Sequence, residues 1–465
     1  MYNPILKKIF QLFAGSLGCS LTVLLSAPLL TRLYNPDIFG IYLFWVSVIA
    51  VISSISCLRY DAAIVVCKEH EANNLLNICI LFSSIIHTFS FFVCAYLLKS
   101  VLKPHLVLSN YQLFSIFLCS FILSINNALT TLRLRLEHYS AVSIAKLVST
   151  LFMFGSQILF FDFNLNGLII GNIIFQTTNL LLLVCKVWNE IKILGLVVLK
   201  ECIQKYKRFP IFTTTENLIG ICGSESPSII FGNIFTSNMF GQYSFASRTL
   251  QSPIGSITSI LSQIILTEGG KEPSNTNLKQ ITNQILEILI RSSTIPLIIF
   301  FLYIPTIFEK AFGSSWDQAS YIARLLYPWL ICVLFVSPFT GIFVIKQKQI
   351  QGLIFQFIFL ALRAICIFFS LKFLSPNNCI FAFSLCSCFV WFCFFFWYFH
   401  VIGFAASDIY RLIQISIWNI FPCAVLIFPI GKESYIHIKL AILLVIYLNQ
   451  IKIIYNKKRE TSFLN

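Results

Sequence analysis

Five cations stand inside stretches of sequence that are otherwise almost wholly apolar: Lys146, Arg248, Arg291, Arg324 and Arg363. A charge in such surroundings is costly, and it turns toward a protein interior or a water-filled cavity rather than toward lipid. Few anions stand against them, chiefly Glu216, Glu225 and Glu287. Glu287 precedes Arg291 by one helical turn, so that pair can neutralise itself. Lys146 and Arg324 fall near the ends of their stretches, where snorkelling to the interface is favoured over a binding role. Arg248 and Arg363 are deeper, on the order of 10 to 20 Å from the nearer helix end by rise per residue. Substrate contact and bonding between helices are both open to them. Arg248, Arg291, Arg324 and Arg363 all belong to the second half of the chain, so a cavity there is electropositive. Arginine suits an anion because its planar fork binds phosphate oxygens in pairs.

The elements that must carry these residues are membrane-spanning helices. Of the 465 residues 57% are hydrophobic and only 11% charged, with a mean hydropathy of +0.84. An average soluble domain carries roughly 25% charged residues. Apolar runs long enough to cross ~30 Å of hydrocarbon as a helix recur about fourteen times: 9–31, 38–58, 73–98, 111–131, 140–160, 166–188, 209–231, 240–266, 281–304, 318–345, 350–371, 377–400, 411–430 and 434–455. The weakest are 209–231 and 240–266, interrupted by Thr213, Glu216, Ser224, Glu225, Arg248 and Gln251. The expected fold is an all-α polytopic membrane protein. Its first span, with Lys7 and Lys8 ahead of it and no small-residue cleavage site behind, reads as a retained helix.

Most of the 33 Lys and Arg fall in the loops assigned to the cytoplasm, above all the 186–208 linker and the tail Lys452, Lys457, Lys458 and Arg459. Such loops collect Lys and Arg, so both termini are expected in the cytoplasm. The net charge of +15 then reflects a basic membrane margin, and no nucleic-acid partner is expected. The 16 cysteines lie mostly inside apolar spans and form no C-x-x-C pair, as small packing residues would. The six histidines are scattered, and no metal site or cofactor is expected.

One turn is written twice. "PLLTRLYNPDIFGIYLF" (28–44) returns as "SIIFGNIFTSNMFGQYSF" (228–245). At an offset of 201, Phe39, Gly40, Tyr42 and Phe44 match Phe240, Gly241, Tyr243 and Phe245, with Asp37 opposite Asn238. A basic turn, "RLEHYSA" (135–141) and "KQKQIQG" (346–352), also recurs between the fourth and fifth spans of each half. The organisation expected is therefore a six-helix bundle at 1–188, a basic cytoplasmic linker at 189–208, a second six-helix bundle at 209–400, and two extra helices with a basic tail at 401–465. Equal span numbers and orientation make this a parallel repeat about an axis along the membrane normal. The other reading of the turn is generic punctuation of an external hairpin by Asn-Pro and Gly. At the cytoplasmic end of the second span, "CLRYDAAIVVCKEHEANNLL" (57–76) brings Arg59 close to Asp61. A gate-side ion pair, an ion-coupling site and a plain helix stop are all open.

"SAPLLTRLYNPDIFGIYLF", "LRYDAAIVV" and "EANNLL" near the start, with "FGQYSFASRTLQSPIGSI" (240–257) and "FGSSWDQASYIARLLYPW" (312–329), resemble the polysaccharide-transport branch of the MOP superfamily, which contains Wzx-type O-antigen flippases. The resemblance covers nearly the whole chain and is most specific over its first hundred residues. It implies a carrier, not an enzyme, in the bacterial inner membrane. Its substrate would be an oligosaccharide on polyprenyl pyrophosphate, moved to the outer leaflet by alternating access. Membrane lipid is the other implied partner, with a polysaccharide polymerase and chain-length machinery acting downstream. Arg248 carries over with most conviction because it lies inside a matched motif. Arg291 and Arg363 rest on the burial argument alone, Arg324 is the remaining candidate for the cationic cavity, and Glu216, Glu225 and Asp61 are the candidates for ion coupling. The rivals are a flippase for another polyprenyl-linked envelope precursor, a multidrug exporter of the same superfamily, and a membrane glycosyl-polymerase. The exporter would be expected to present acidic residues. The polymerase would be expected to carry a large external catalytic loop.

Overall fold

The structure is a computed structural model that describes residues 4–68, 71–101, 109–185, 196–271, 274–346, 348–420 and 447. Among these there is no strand. Helix α1 covers Pro4–Leu33, α2 Pro36–Ser56 and the short α3 Tyr60–Val66. Then come α4 (Ala72–Val101), α5 (Asn110–Arg135), α6 (Tyr139–Leu159), α7 (Leu165–Val184) and the linker helix α8 (Leu196–Lys205). A π-helical turn at Phe209–Thr213 leads into α9 (Thr214–Ile234), followed by α10 (Ser237–Lys271) and α11 (Asn275–Phe312). The chain continues through α12 (Asp317–Val336), α13 (Ile342–Ile345), α14 (Gln349–Phe373), α15 (Pro376–Ile402) and α16 (Ala406–Ile420). Nine helical stretches among the described residues are long and apolar enough to cross a membrane, and the protein is an all-α polytopic membrane protein.

The two weakest predicted spans, 209–231 and 240–266, form the helices α9 and α10 but are not among those nine. Their polar residues lower the hydropathy and are used inside the fold, as described below. The predicted span 411–430 is described only as far as Ile420, and 434–455 lies outside the described residues apart from Tyr447.

The chain forms two compact units, each drawn from several segments. One comprises Met1–Ser256, Phe308–Ala323 and Leu353–Phe383, the other Ile257–Ile307, Arg324–Gly352 and Ser384–Asn465. In the first unit α6 packs against α1 and α7, and α2 packs against α5 and α9.

The repeated turn explains itself here. Asn35 caps α2, its side chain accepting from the Ile38 N–H at 3.0 Å, and Pro36 occupies the first turn. Two hundred and one residues on, Thr236 accepts from the Met239 N–H at 3.3 Å and starts α10 in the same way. Both side chains satisfy a backbone donor that the helix itself leaves unpaired. The two copies then meet. A Cβ added at Gly40 would lie 2.4 Å from the Ser237 carbonyl oxygen, and one added at Gly241 would lie 1.8 Å from that of Pro36. Gly40 corresponds to Gly241 and Pro36 to Ser237, so the contact is reciprocal, as across a two-fold axis. Equivalent residues touch each other directly as well. Asn238 donates to the Asp37 carboxylate at 3.2 Å, and Arg248 to the Ser47 hydroxyl at 3.1 Å. Only glycine allows two helix backbones so near.

Below this crossing Phe39 and Phe245 pack edge to face at 6.0 Å, and both rest on the fully buried Trp316. The Trp316 indole donates to the Thr31 carbonyl at 3.0 Å. Gln242 donates to the Ser315 carbonyl at 2.7 Å and accepts from the Ala319 N–H at 2.9 Å. Gln242 thus ties α10 to the start of α12.

At the other end of the unit, buried Arg133 donates to the Leu182 and Leu183 carbonyls in the last turn of α7. A cation is well placed among those unpaired carbonyls. Glu71, just before α4, holds the amphipathic α8. It accepts from Lys205 at 2.5 Å, from Tyr206 at 2.7 Å and from the Lys68 N–H at 3.3 Å. Lys205 foremost, then Tyr206, holds the Glu71 carboxyl down at about 2 against an ordinary 4.5.

Two outcomes follow. Gly241→Ala is expected to cost about 1–3 kcal/mol of stability by forcing the helices apart, more than Gly40→Ala, read as a lower melting temperature of the purified protein. For Glu71 the folded-state value is depressed. Its contribution is therefore complete above the ordinary carboxyl value and lost as the pH falls through about 2. The protection of amides 196–205 against hydrogen exchange, taken relative to the intrinsic rate at each pH, should hold in wild type down to about pH 4.5 and fall below it. In Glu71→Ala it should be low already at neutral pH.

Candidate functional site

Within the first unit, helices α1, α2, α6, α7 and α10 line a half-open cavity of about 350 Å³. Its wall is largely apolar and aromatic, with Phe39, Phe154, Phe175 and Phe245 contributing rings. Among the described residues lining it, Arg248 is the one that carries a charge. The α10 helix brings Arg248 to this position because Gly241, two turns earlier, lets it run close beside α2.

The Arg248 guanidinium is held on one side and open on the other. One nitrogen donates to the Ser47 hydroxyl of α2 at 3.1 Å and lies 3.8 Å from a carboxylate oxygen of Glu225 on α9. The side chain remains 39% exposed, that of Glu225 23%. An ion pair of that length is loose, and a competing anion can displace it. The sequence paired neither Ser47 nor Glu225 with Arg248, since both contacts depend on the helix crossing.

An uncharged polar group faces the same space. The Gln157 amide nitrogen donates to the Leu168 carbonyl at 3.3 Å and lies 3.5 Å from the Tyr42 hydroxyl, to which Asn172 donates at 3.3 Å. The Gln157 backbone carbonyl accepts from Tyr34 at 2.6 Å. The side-chain carbonyl oxygens of Gln157 and Asn172 are buried and meet no hydrogen-bond donor among the described residues. Sequence reasoning missed both amides because it weighed charges only. The available signal was an amide within an apolar span, which packs poorly against lipid and usually finds a polar role.

Arg363, on α14, is 2% exposed. It donates to the Gly223 carbonyl at 2.8 Å, and its guanidinium lies 4.0 Å from the Phe359 ring centre and 4.8 Å from that of Phe383. Its hydrogen bond and both ring faces tie α14 to α9 and α15. Arg59 sits in the left-handed region, at φ 56° after Leu58 at φ 47°, where α2 ends and α3 begins. It pairs with Asp61 at 3.5 Å. Glu216 is exposed on the first turn of α9.

In the second unit Glu287 bridges two arginines, Arg291 at 3.2 Å and Arg411 of α16 at 3.4 Å. Arg324 donates to the Leu302 carbonyl at 3.3 Å and lies over the Phe301 ring at 5.9 Å. Lys279 and Asp408 form a further pair at 2.5 Å.

These surroundings separate Arg248 from Arg363. Arg363→Ala removes a charge-assisted hydrogen bond and two ring contacts from the interior and is expected to cost about 2–4 kcal/mol. Arg248→Ala is expected to melt within a degree or two of wild type, an estimate for a half-exposed group whose pairing adds little. A melting curve of each purified variant checks both. Equal losses would show that Arg248 is as structural as Arg363.

The fold is found among transporters. The structure of the lipid II flippase MurJ in an inward closed conformation matches with a TM-score of 0.72 at 14% identity, over 96% of this chain and 99% of that one. A MOP superfamily transporter from Pyrococcus furiosus, described as having a binding pocket of reverse polarity, matches with a TM-score of 0.56 at 12% identity, over 85% of this chain and 96% of that one. An inward-facing multidrug resistance MATE family transporter of the same superfamily gives 0.51 at 13% identity, over 87% and 94%. At such identities the likeness is one of fold. No curated protein matches the chain. Residues 29–321, well over half of the chain and inclusive of both copies of the turn, match the family described as polysaccharide biosynthesis protein, and the chain belongs to that family.

Proposed function

We propose that this protein is a flippase for an oligosaccharide carried on polyprenyl pyrophosphate, an O-antigen or similar repeat unit. It moves the unit from the cytoplasmic to the outer leaflet of the bacterial inner membrane by alternating access. The observation that carries this reading is Arg248: a half-exposed guanidinium, the sole charge among the described residues that line a largely apolar cavity, with a loose carboxylate partner. Membership of a polysaccharide biosynthesis family supports the same substrate class.

The moving parts are two six-span halves, 1–188 and 209–400, joined by the basic linker 189–208 and followed by 401–465. The headgroup enters from the cytoplasm and exchanges hydration for Arg248 and the neighbouring polar side chains, while Glu225 gives way. The polyprenyl tail stays in lipid. Outward movement of an uncompensated dianion is favoured by an inside-negative potential at ~2.3 kcal/mol per charge per 100 mV, so the hydrated sugars set the barrier. Arg291 and Arg324 are the further cations of this reading, while Arg363 holds α14 to α9 and α15. Arg59 and Asp61 act as a gate pair at the α2–α3 break, and Glu216 and Glu225 are the carboxylates available for ion coupling.

A flippase for another polyprenyl-linked envelope precursor is the second reading, since the fold is that of a lipid II flippase and the carrier headgroup would be shared. A multidrug exporter fits less well, because a cationic drug is repelled by a cavity whose one charge is positive.

The test is deletion of the gene in its host, with the surface polysaccharide run on a gel and lipid-linked units assayed on each leaflet. Loss of polymer with units trapped on the cytoplasmic leaflet, restored by wild type, is the expected result. Arg248→Ala at equal abundance should flip ten- to a hundredfold more slowly, the effect of losing one charge-assisted contact. Units that reach the outer leaflet without polymerising would overturn the reading in favour of a polymerase.

A further inference from the structure

We infer that His87 is an acid-sensitive catch on the break between α2 and α3: as a neutral ring it holds the end of α2 to α4 and α5, and with a second proton it releases the break. The break itself supplies the first observation. Leu58 and Arg59 stand at φ 47° and 56° without glycine's freedom, and backbone of that kind persists where its surroundings hold it in place. What holds it is a small polar knot inside otherwise apolar helices. Ser56, the last residue of α2, has its hydroxyl 3.4 Å from Nε2 of His87 on α4. The Cys57 thiol donates to the Ser124 carbonyl of α5 at 3.5 Å. The Ser83 and Ser124 hydroxyls, 2.5 Å apart, join α4 to α5 beside the ring, which also meets the Phe121 ring edge to face at 5.6 Å.

His87 is the member of this knot that changes charge near neutral pH. It is 6% exposed, and Ser56, Ser83 and Ser124 are fully enclosed. Nδ1 lies 2.7 Å from the Ser83 carbonyl oxygen, which accepts and cannot donate, so that nitrogen carries the hydrogen of the neutral ring. A second proton would go to Nε2 and leave a full charge there. Ser56 can accept its hydrogen bond, but a hydroxyl does not neutralise it. The end of α2 attracts a cation, yet a helix end offsets a small part of what enclosing an ion costs. The titratable groups on the neighbouring elements supply no counter-charge to the ring. Cys57, Cys79 and Cys119 are buried thiols, and Tyr60 donates to the Ile203 carbonyl. Arg59 and Asp61 pair with each other beyond the break, and Glu71 is bound by Lys205 and Tyr206. Arg133 and Arg135 are bound to carbonyls at the ends of α7 and α3. Water is what relieves the charged ring, and it reaches the ring when the end of α2 parts from α4.

An arrangement that keeps the ring neutral is firm above the imidazole range and weakens as the pH falls through it. The experiment is hydrogen exchange of the full chain in lipid nanodiscs, with protection taken relative to the intrinsic rate at each pH. From about pH 8 to about pH 5.5 the protection of amides 53–66 should fall roughly tenfold in wild type, the factor reached one unit below an ordinary imidazole value near 6.5. Glu71 keeps its charge throughout that interval. Protection over 139–159 should not change. His87→Asn, whose amide nitrogen can keep the bond to the Ser83 carbonyl but takes up no proton, should show no fall over 53–66. Should it fail to fold, His87→Gln takes its place. If neither folds, NMR of labelled histidine in wild type decides: a ring at 87 that gains its proton outside the interval in which protection falls overturns the catch. Constant protection in wild type overturns it as well, and so does protection that rises on acidification. An equal fall in the variant assigns the loss to another group, and an equal fall over 139–159 assigns it to general unfolding; either overturns the catch.

Discussion

The crossing of α2 and α10 at Gly40 and Gly241 is the constraint on which the rest of the first unit depends. Each glycine faces the carbonyl oxygen of the other helix's first turn, closer than any side chain would permit. That proximity decides which neighbours α2 and α10 can share. Phe39 and Phe245 come into edge contact, and Trp316 enters beneath them and bonds the end of α1. The cavity lies along the same helices, bounded by Phe39, Tyr42 and Val46 on α2 and by Phe245, Arg248 and Ser252 on α10. A backbone contact at one end thus fixes the register of the polar residues further along.

Dispersion and aromatic geometry hold this arrangement, because apolar burial drives nothing where the surroundings are themselves hydrocarbon. Polar side chains within the helices are then spent in two ways. Many hydroxyls bond back to their own helix, as Ser47 does to Leu43 and Ser149 to Ala145. Others clamp a helix end, as Arg133 does for α7 and as Arg135 does for α3 through the Ile64 and Cys67 carbonyls. Others have no such employment, among them the open side of Arg248 and the carbonyl oxygens of Gln157 and Asn172.

Most of the fold was legible because a bilayer demands long apolar helices, and predicted spans such as 38–58 and 140–160 fall within a residue or two of Pro36–Ser56 and Tyr139–Leu159. The short α3 was not separable from α2. The predicted second span ends at residue 58, but the seven residues Tyr60–Val66 are too few to register as a helix of their own, and the break is made by Leu58 and Arg59 in left-handed backbone without a glycine to announce it. Helix α8 was hidden for the opposite reason: its attachment rests on Glu71, more than a hundred residues away. At the site, Arg248 could be picked out because a charge in an apolar run is conspicuous. Its partners Ser47 and Glu225, and the amide pair at 157 and 172, could not, since only the crossing brings them to one wall.

The repeat also explains why a single cation, and not a pair, guards the cavity. Near a two-fold axis each residue meets its own counterpart, so identical residues at those places would put like charges in contact. The pairs in contact here are unlike: Asp37 meets Asn238, and Ser47 meets Arg248. Two arginines at the latter place would repel within a poorly solvated wall, whereas a serine accepts the hydrogen bond that steadies the one arginine present. The departure from symmetry is therefore what permits a charge so near the axis. It gives the wall one positive side, contributed by α10, and one neutral side, contributed by α2, α6 and α7.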